Sequence, residues 1–169
     1  QFFAGGTNDI RAFPARSLGP GTYNYRDHLP EGDTGSYTDQ SGDIKAMLNT
    51  ELRFKLVSIL HGALFADAGN VWLRKEDLGS PATPTSEASP GRPGSGFKFK
   101  NALSEMAVGT GAGLRIDATI FVIRLDVAFP VRKPYLPEGQ RWVFDQVDFG
   151  SKTWRKENLI YNIGIGYPF

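Results

Sequence analysis

Residues 44–56 read Ile44-Lys45-Ala46-Met47-Leu48-Asn49-Thr50-Glu51-Leu52-Arg53-Phe54-Lys55-Leu56. Ile44, Ala46, Leu48, Thr50, Leu52, Phe54 and Leu56 fall on one side of a period of two. Lys45, Met47, Asn49, Glu51, Arg53 and Lys55 fall on the other. Strict alternation over this length predicts a strand with one apolar and one polar face, because successive side chains of a strand point to opposite sides. A helix would scatter Leu48, Leu52 and Phe54 among charges. The same pattern returns at 121–129, where Phe121, Ile123, Leu125, Val127 and Phe129 oppose Arg124, Asp126 and Ala128. It returns again at 159–169, where Leu159, Tyr161, Ile163, Ile165, Tyr167 and Phe169 oppose Asn162, Gly164, Gly166 and Pro168. Two weaker runs complete the set. Residues 61–72 set Leu64, Ala66, Ala68 and Trp72 against Phe65, Asp67, Gly69 and Val71. Residues 105–117 set Met106, Val108, Ala112, Leu114 and Ile116 against Gly109, Gly111, Gly113, Arg115 and Asp117.

Between the runs lie three segments without periodicity. Residues 14–43 and 74–101 are rich in Gly, Pro and small polar residues, and 132–157 carries Pro134, Pro137 and many charges. All three read as long loops, 74–101 as a flexible excursion with no packed element. The remaining connections, at 57–60 and 117–119, are short. Helix is almost absent from this reading.

Composition narrows the function classes. The chain has 169 residues, a net charge of +1 and no Cys. Near-neutral charge argues against a dedicated nucleic-acid binder, and without Cys there is no disulfide framework, thiolate metal site or thiol nucleophile. No apolar run reaches the roughly 18 residues of a membrane-crossing helix, which leaves a transmembrane barrel open. His28 and His61 are isolated, so no metal site is expected. No nucleophile elbow occurs. Gly109-Thr110-Gly111-Ala112-Gly113 lies within a strand pattern and lacks phosphate-loop spacing. Glu31, Asp33, Asp39 and Asp43 read as solvated loop, as do Lys152, Arg155 and Lys156, which could also touch lipopolysaccharide phosphates. No cofactor and no covalent chemistry are expected. The chain starts at Gln1 with no initiator Met, basic segment or apolar leader, and reads as a mature chain or a piece of a longer one.

Strand length and loop asymmetry separate lipid from water. The alternating runs reach or exceed the roughly 9–11 residues with which a tilted strand crosses a bilayer, whereas strands of soluble sandwiches average about 5–6. Short turns on one side and long loops on the other is the arrangement of outer-membrane barrels. The expected fold is all-β: an antiparallel transmembrane β-barrel, seen as a portion of about five strands. Residues 1–43 would precede the strands as a long loop, with 44–73 a strand pair, 74–101 an extracellular loop, 102–131 a second pair, 132–157 another extracellular loop and 158–169 the final strand.

Several stretches then carry a family resemblance. Phe2-Phe3-Ala4-Gly5-Gly6 followed by Ile10-Arg11-Ala12-Phe13 resembles the loop that opens the last barrel portion in the BamA/TamA outer-membrane assembly superfamily, with Ala12 in place of the usual Gly. Asn49-x-Glu51, then Phe65-Ala66-Asp67-Ala68-Gly69-Asn70-Val71-Trp72, Gly111-Ala112-Gly113-Leu114-Arg115 and a terminal Phe169 follow in the family's order. The resemblance implies that the chain is the C-terminal portion of such a barrel, that residues 1–43 fold back into the lumen as an inserted plug loop, and that Arg11 meets Glu51 and Asp67. The residues themselves are compatible with that: both acids lie on polar strand faces, and a permanently charged guanidinium fork relieves the repulsion between them. The alternative is that the acids line a wet pore. Gly69, Gly109, Gly111 and Gly113 would leave wall space for the loop backbone. Were Ala12 to need a positive φ, it would cost about 1 kcal/mol or more. Asn162, Gly164, Tyr167 and Phe169 resemble the last-strand signal of outer-membrane proteins, with Pro168 loosening the final ladder.

The function implied is insertion and folding of β-barrel proteins into the bacterial outer membrane, with a weakly paired last strand as lateral gate. Expected partners are the outer-membrane lipid bilayer, unfolded outer-membrane protein clients and accessory envelope proteins. The remaining strands would lie in sequence preceding Gln1. Two-partner secretion, a passive porin or surface antigen, and a soluble β-sandwich are the competing readings.

Overall fold

The computed structural model describes residues 1–25, 40–81, 91–118 and 120–166. His28, Tyr167, Pro168 and Phe169, named above, lie outside the described residues. Five strands form one antiparallel sheet in sequence order: β1 (Ile44–Val57), β2 (Leu60–Trp72), β3 (Ala107–Asp117), β4 (Val122–Arg132) and β5 (Ile160–Gly166). The sheet does not close: β1 and β5 pair on one side only. The register joins like with like across the whole sheet. Leu52 lies opposite Leu64, Leu64 opposite Ala112, and Leu125 opposite both Leu114 and Ile163. One residue along, Asn49 lies opposite Asp67, Asp67 opposite Gly109, and Asp126 opposite both Gly113 and Asn162.

The burial of the two faces is the inverse of a water-soluble sheet. Leu52, Ile163 and Ile165 are 65%, 73% and 77% exposed, while Asp67, Asp126 and Arg115 are 1%, 2% and 3% exposed. An apolar surface this continuous, backed by a polar interior, is stable against hydrocarbon rather than water. The buried apolar cluster lies on the polar side. There Ala4, Ile10, Ala12, Phe13 and Leu18 from the N-terminal loop form a cluster with Phe65, Val71, Ala107 and Ala128 from the strands. A bridge from Phe2 to Gly42 ties the loop to the start of β1, and one from Ala4 to Leu18 closes the loop on itself.

The structure corrects four expectations. Trp72 does not continue the bare face; it is fully buried. Its Nε1 donates to Glu105 Oε2 at 2.7 Å, and Phe97 packs edge-on at 5.6 Å. Periodicity places Trp72 on the right side of β2 but cannot foresee that residues 91–106 fold over that end. That segment is not a loose excursion either. Leu73 and Phe97 exchange ladder bonds with 95 and 73, Arg92 pairs with Asp77 at 2.9 Å, and Glu76 accepts from the Gly94 amide at 2.7 Å. Ala102–Glu105 is a 3-10 turn, so β3 starts at Ala107. Within the third loop, Phe144–Gln146 forms another 3-10 turn and Lys152–Asn158 a helix, α1. Ser151 caps α1 by accepting from the Trp154 amide, as serine at a helix start does. The Arg155 guanidinium closes back on the carbonyls of Phe149 and Gly150.

Helix α1 matters for the sheet. Ladder pairing of β5 with β4 stops at Ala128 opposite Ile160, although β4 runs on to Arg132. Beyond Ala128 the place of a longer β5 is taken by α1, whose Trp154 packs with Phe129 and Phe149 on the bare side of β4.

Replacing Trp72 by Phe keeps the ring but leaves the buried Glu105 carboxylate without its indole donor. This should cost about 1–3 kcal/mol, read as a lower midpoint of heat-induced loss of folded mobility on electrophoresis. An unchanged midpoint would mean that the 91–106 segment does not hold this end of the wall.

Candidate functional site

The candidate site is the Arg11 loop seated on the polar face. Its tip is shaped locally. Gly5 and Gly6 take φ of 97° and 109°, and a side chain at Gly5 would run into the Pro14 carbonyl. Gly6 donates to Phe13 O at 2.9 Å and Phe13 to Ile10 O at 3.1 Å, which closes the turn that presents Arg11. Asp9 accepts from Gly5 N at 3.0 Å and from Lys45 Nζ at 2.8 Å, fixing the turn to β1.

The Arg11 side chain is 6% exposed. Nε and Nη2 donate to the two oxygens of Asp67, each at 2.8 Å, and Nη1 donates to Glu51 Oε2 at 2.6 Å. Its backbone amide donates to Asp67 as well, at 3.1 Å. The guanidinium plane lies over Phe65, with Cζ 3.5 Å from the ring centroid, a cation–π contact in a desolvated place. Burial alone would lower the pKa of Arg11; the hydrogen bonds to Asp67 and Glu51 outweigh it, and the pKa is raised. The fork geometry uses what only arginine has, planar donors matched to two carboxylates at once.

Glu51 and Asp67 thus meet Arg11, and the structure surrounds them with partners that parity placed on the polar face without linking them to the loop. Arg115 donates to both Glu51 oxygens, at 2.8 and 3.2 Å, and to Asp126 Oδ1 at 2.5 Å. Asp126 Oδ2 lies 3.8 Å from Arg11 and 3.3 Å from Arg124, misaligned for a hydrogen bond with either. Three guanidinium groups, Arg11, Arg115 and Arg124, therefore face three carboxylates, Glu51, Asp67 and Asp126. Arg53 adds a peripheral contact to Glu51 at 2.7 Å. Asn49 Nδ2 bridges Asp67 Oδ1 and Asp9 O at 2.8 and 2.7 Å.

Asn162 of β5 reaches the Arg11 loop. Its Nδ2 donates to the Arg11 carbonyl at 2.9 Å and its Oδ1 accepts from Thr7 Oγ1 at 2.9 Å. Arg124 donates to Thr7 O and Asn8 Oδ1 at 2.7 and 2.6 Å. Gly164 gives room for that guanidinium, since an added Cβ would sit 3.3 Å from it. Same-face parity with Asp126 was the signal for Asn162; nothing in the sequence tied it to Thr7.

The wall glycines divide by role. A Cβ at Gly109 would collide with the Ala12 methyl, and one at Gly69 would lie 3.0 Å from Ile10 Cδ1, so these two receive the loop. Gly111 and Gly113 do not. A Cβ there would meet Phe65 at 2.6 Å and Arg115 at 2.6 Å respectively, so they house the wall's own side chains. Ala12 needs no positive φ; among the described non-glycine residues only Arg16 has one. Its methyl instead fits the hollow above Gly109.

A family model for the Omp85 superfamily domain matches residues 1–146. The chain belongs to the Omp85 superfamily. No curated protein and no solved structure matches it. Members of the superfamily are outer-membrane proteins of insertion and secretion, and this chain carries their antiparallel β-barrel fold as a five-stranded sheet that is not closed. The polar face is accordingly the lumen side of an Omp85 wall.

Arg11→Ala leaves buried Asp67 without its cation and Glu51 with Arg115 and Arg53, and should cost about 3–5 kcal/mol, the usual loss when one member of a buried ionic network is removed. Arg11→Lys should recover only part, because an ammonium cannot engage both acids in plane. Gly109→Leu should unseat the loop with every charge intact. Protease accessibility of the loop in the folded protein measures all three; equal accessibility to wild type would show that these contacts do not hold it.

Proposed function

We propose that this chain forms part of an outer-membrane barrel that inserts and folds other β-barrel proteins, with β5 as one side of a lateral gate. The observation that carries this reading is the truncated pairing of β5. Its ladder to β4 starts only at Ile160, where α1 ends, while β4 extends to Arg132. A strand with so short a ladder is held by few backbone bonds, and its other edge is unpaired among the described residues. An unpaired edge with an apolar face is a template onto which an extended segment adds by β-augmentation. The partners that fit are the outer-membrane bilayer along the bare face, unfolded outer-membrane proteins at the β5 edge, and accessory envelope proteins. The work is strand exchange, and no covalent step is assigned.

Asn162 gives the gate a hold. It is the β5 side chain that reaches the loop, through Arg11 O and Thr7 Oγ1. β5 is therefore fastened to the Arg11 loop as well as to β4, and seating the loop and holding the strand draw on the same hydrogen bonds.

A secretion pore of the same superfamily shares the wall and the loop. Reconstitution separates the readings. The full-length protein in liposomes should speed the folding of an added unfolded barrel protein, and Asn162→Leu should change that rate while the folded fraction stays constant. Large, steady single-channel currents with no acceleration of folding would overturn the insertion reading in favour of a pore.

A further inference from the structure

The end of the wall that carries the long loops holds two arginines that meet no acid among the described residues. Arg132 donates to the carbonyls of Leu103 and Met106 at 2.8 and 3.3 Å and to Ser104 O at 2.5 Å. Arg141 donates to the same Ser104 O at 2.9 Å and to Leu136 O at 3.1 Å. Two guanidinium groups thus converge on one carbonyl. Arg11, Arg53, Arg92, Arg115 and Arg124 each pair with a carboxylate, whereas Arg132 and Arg141 form no ion pair among the described residues. Arg132 Nε is buried and has no hydrogen-bond partner. Carbonyl oxygens orient these groups but leave two like charges uncompensated at short range, a condition that an anion relieves.

The surroundings say what kind of anion. Trp142 lies with its ring 5.2 Å from the Arg132 Cζ and packs edge-on with Phe144 at 6.2 Å. Trp142, Phe144 and Leu103 are 51%, 63% and 77% exposed. At the same end the bare face of β4 finishes in the Phe129, Phe149 and Trp154 cluster. Aromatic rings at the end of a lipid-facing strand mark the depth of the headgroups. A free inorganic anion has no use for exposed Trp and Leu, and an uncharged acyl chain has none for two guanidinium groups. An amphiphile with a phosphorylated head satisfies both.

We propose that Arg132, Arg141 and Trp142 form a binding site for a phosphorylated lipid of the outer leaflet, the two arginines taking its phosphate and Trp142 with Leu103 its apolar flank. This rests on the outer-membrane reading above. Arg132 holds three carbonyls of the 102–106 segment and Arg141 one, so Arg141 is the residue to vary. Native mass spectrometry of the full-length protein in detergent would compare phosphorylated lipid A, dephosphorylated lipid A and inorganic phosphate as competitor. Wild type should retain the phosphorylated lipid in preference to the dephosphorylated one. Arg141→Gln should weaken that retention about tenfold, the loss of one charge-assisted contact, and leave the dephosphorylated lipid as before. Trp142→Ala should weaken retention of both. Heat-modifiable migration of each variant confirms that it is folded. Equal retention of the two lipids, full displacement by inorganic phosphate, or an Arg141→Gln protein that is folded and unchanged would each overturn the site. A wild type that partitions into membranes yet ignores lipid phosphate fails this inference alone, whereas one that stays in water fails the outer-membrane reading itself.

Discussion

The buried guanidinium of Arg11 is the constraint on which the rest of the wall turns. Glu51, Asp67 and Asp126 face the same interior, and the opposite face of their strands is an exposed apolar surface. These acids cannot turn outward, because one residue of register shift would move every Leu inward and every carboxylate onto that apolar face. Gathered on one face, three carboxylates repel one another over several ångströms unless cations stand between them. Arg115 and Arg124 come from the wall, but they are insufficient for three acids with Asp67 at the far side. The loop delivers the missing charge. The ionic balance of the lumen and the position of the loop are therefore one problem with one solution.

The apolar contacts follow from this placement. Once Arg11 is held over Phe65, its neighbours Ile10 and Ala12 fall opposite Gly69 and Gly109. Two hollows in the strand backbone admit two small or slender side chains, and Phe13 and Leu18 complete the cluster. Electrostatics chooses the site and close packing fixes the pose, since a buried charge alone tolerates small displacements that packed atoms do not.

The strands and their faces were legible because period two is a direct consequence of strand geometry, and it survives in every run from Ile44 to Gly166. Arg11, Glu51 and Asp67 were legible through the resemblance, with parity agreeing. What escaped has a common physical cause: alternation reports on which side a residue lies, never what arrives from elsewhere to cover it. Trp72 reads as lipid-facing until residues 91–106 fold over it. Asn162 shows its parity in the sequence, but not that Thr7 and the Arg11 carbonyl come within its reach. Gly111 and Gly113 read as space for the loop, although the space belongs to Phe65 and Arg115. Helix α1 escaped for a different reason. At seven residues it has too few turns for a hydrophobic period, and its clearest mark is a single capping Ser151 in a segment full of charge.

Loop and last strand are bound by reciprocity. Asn162 spends one end of its amide on the Arg11 carbonyl and the other on Thr7, and Arg124 on the adjacent strand fastens the next loop carbonyl. Withdrawing the loop would leave that amide without these partners and Arg124 with Asp126 alone, and an unmet buried polar group costs more than the bond it replaces contributes. β5 would then be disfavoured in its present position. Conversely, peeling β5 from β4 removes the support under the Arg11 carbonyl and loosens the loop. Whatever free energy links the two must be the same in both directions. β5, whose described ladder on β4 is short and whose outer edge is unpaired among the described residues, is thus steadied by a loop whose own seat is ionic, and the charges of that seat lie on β1 and β2, with Arg124 and Asp126 of β4 beside them.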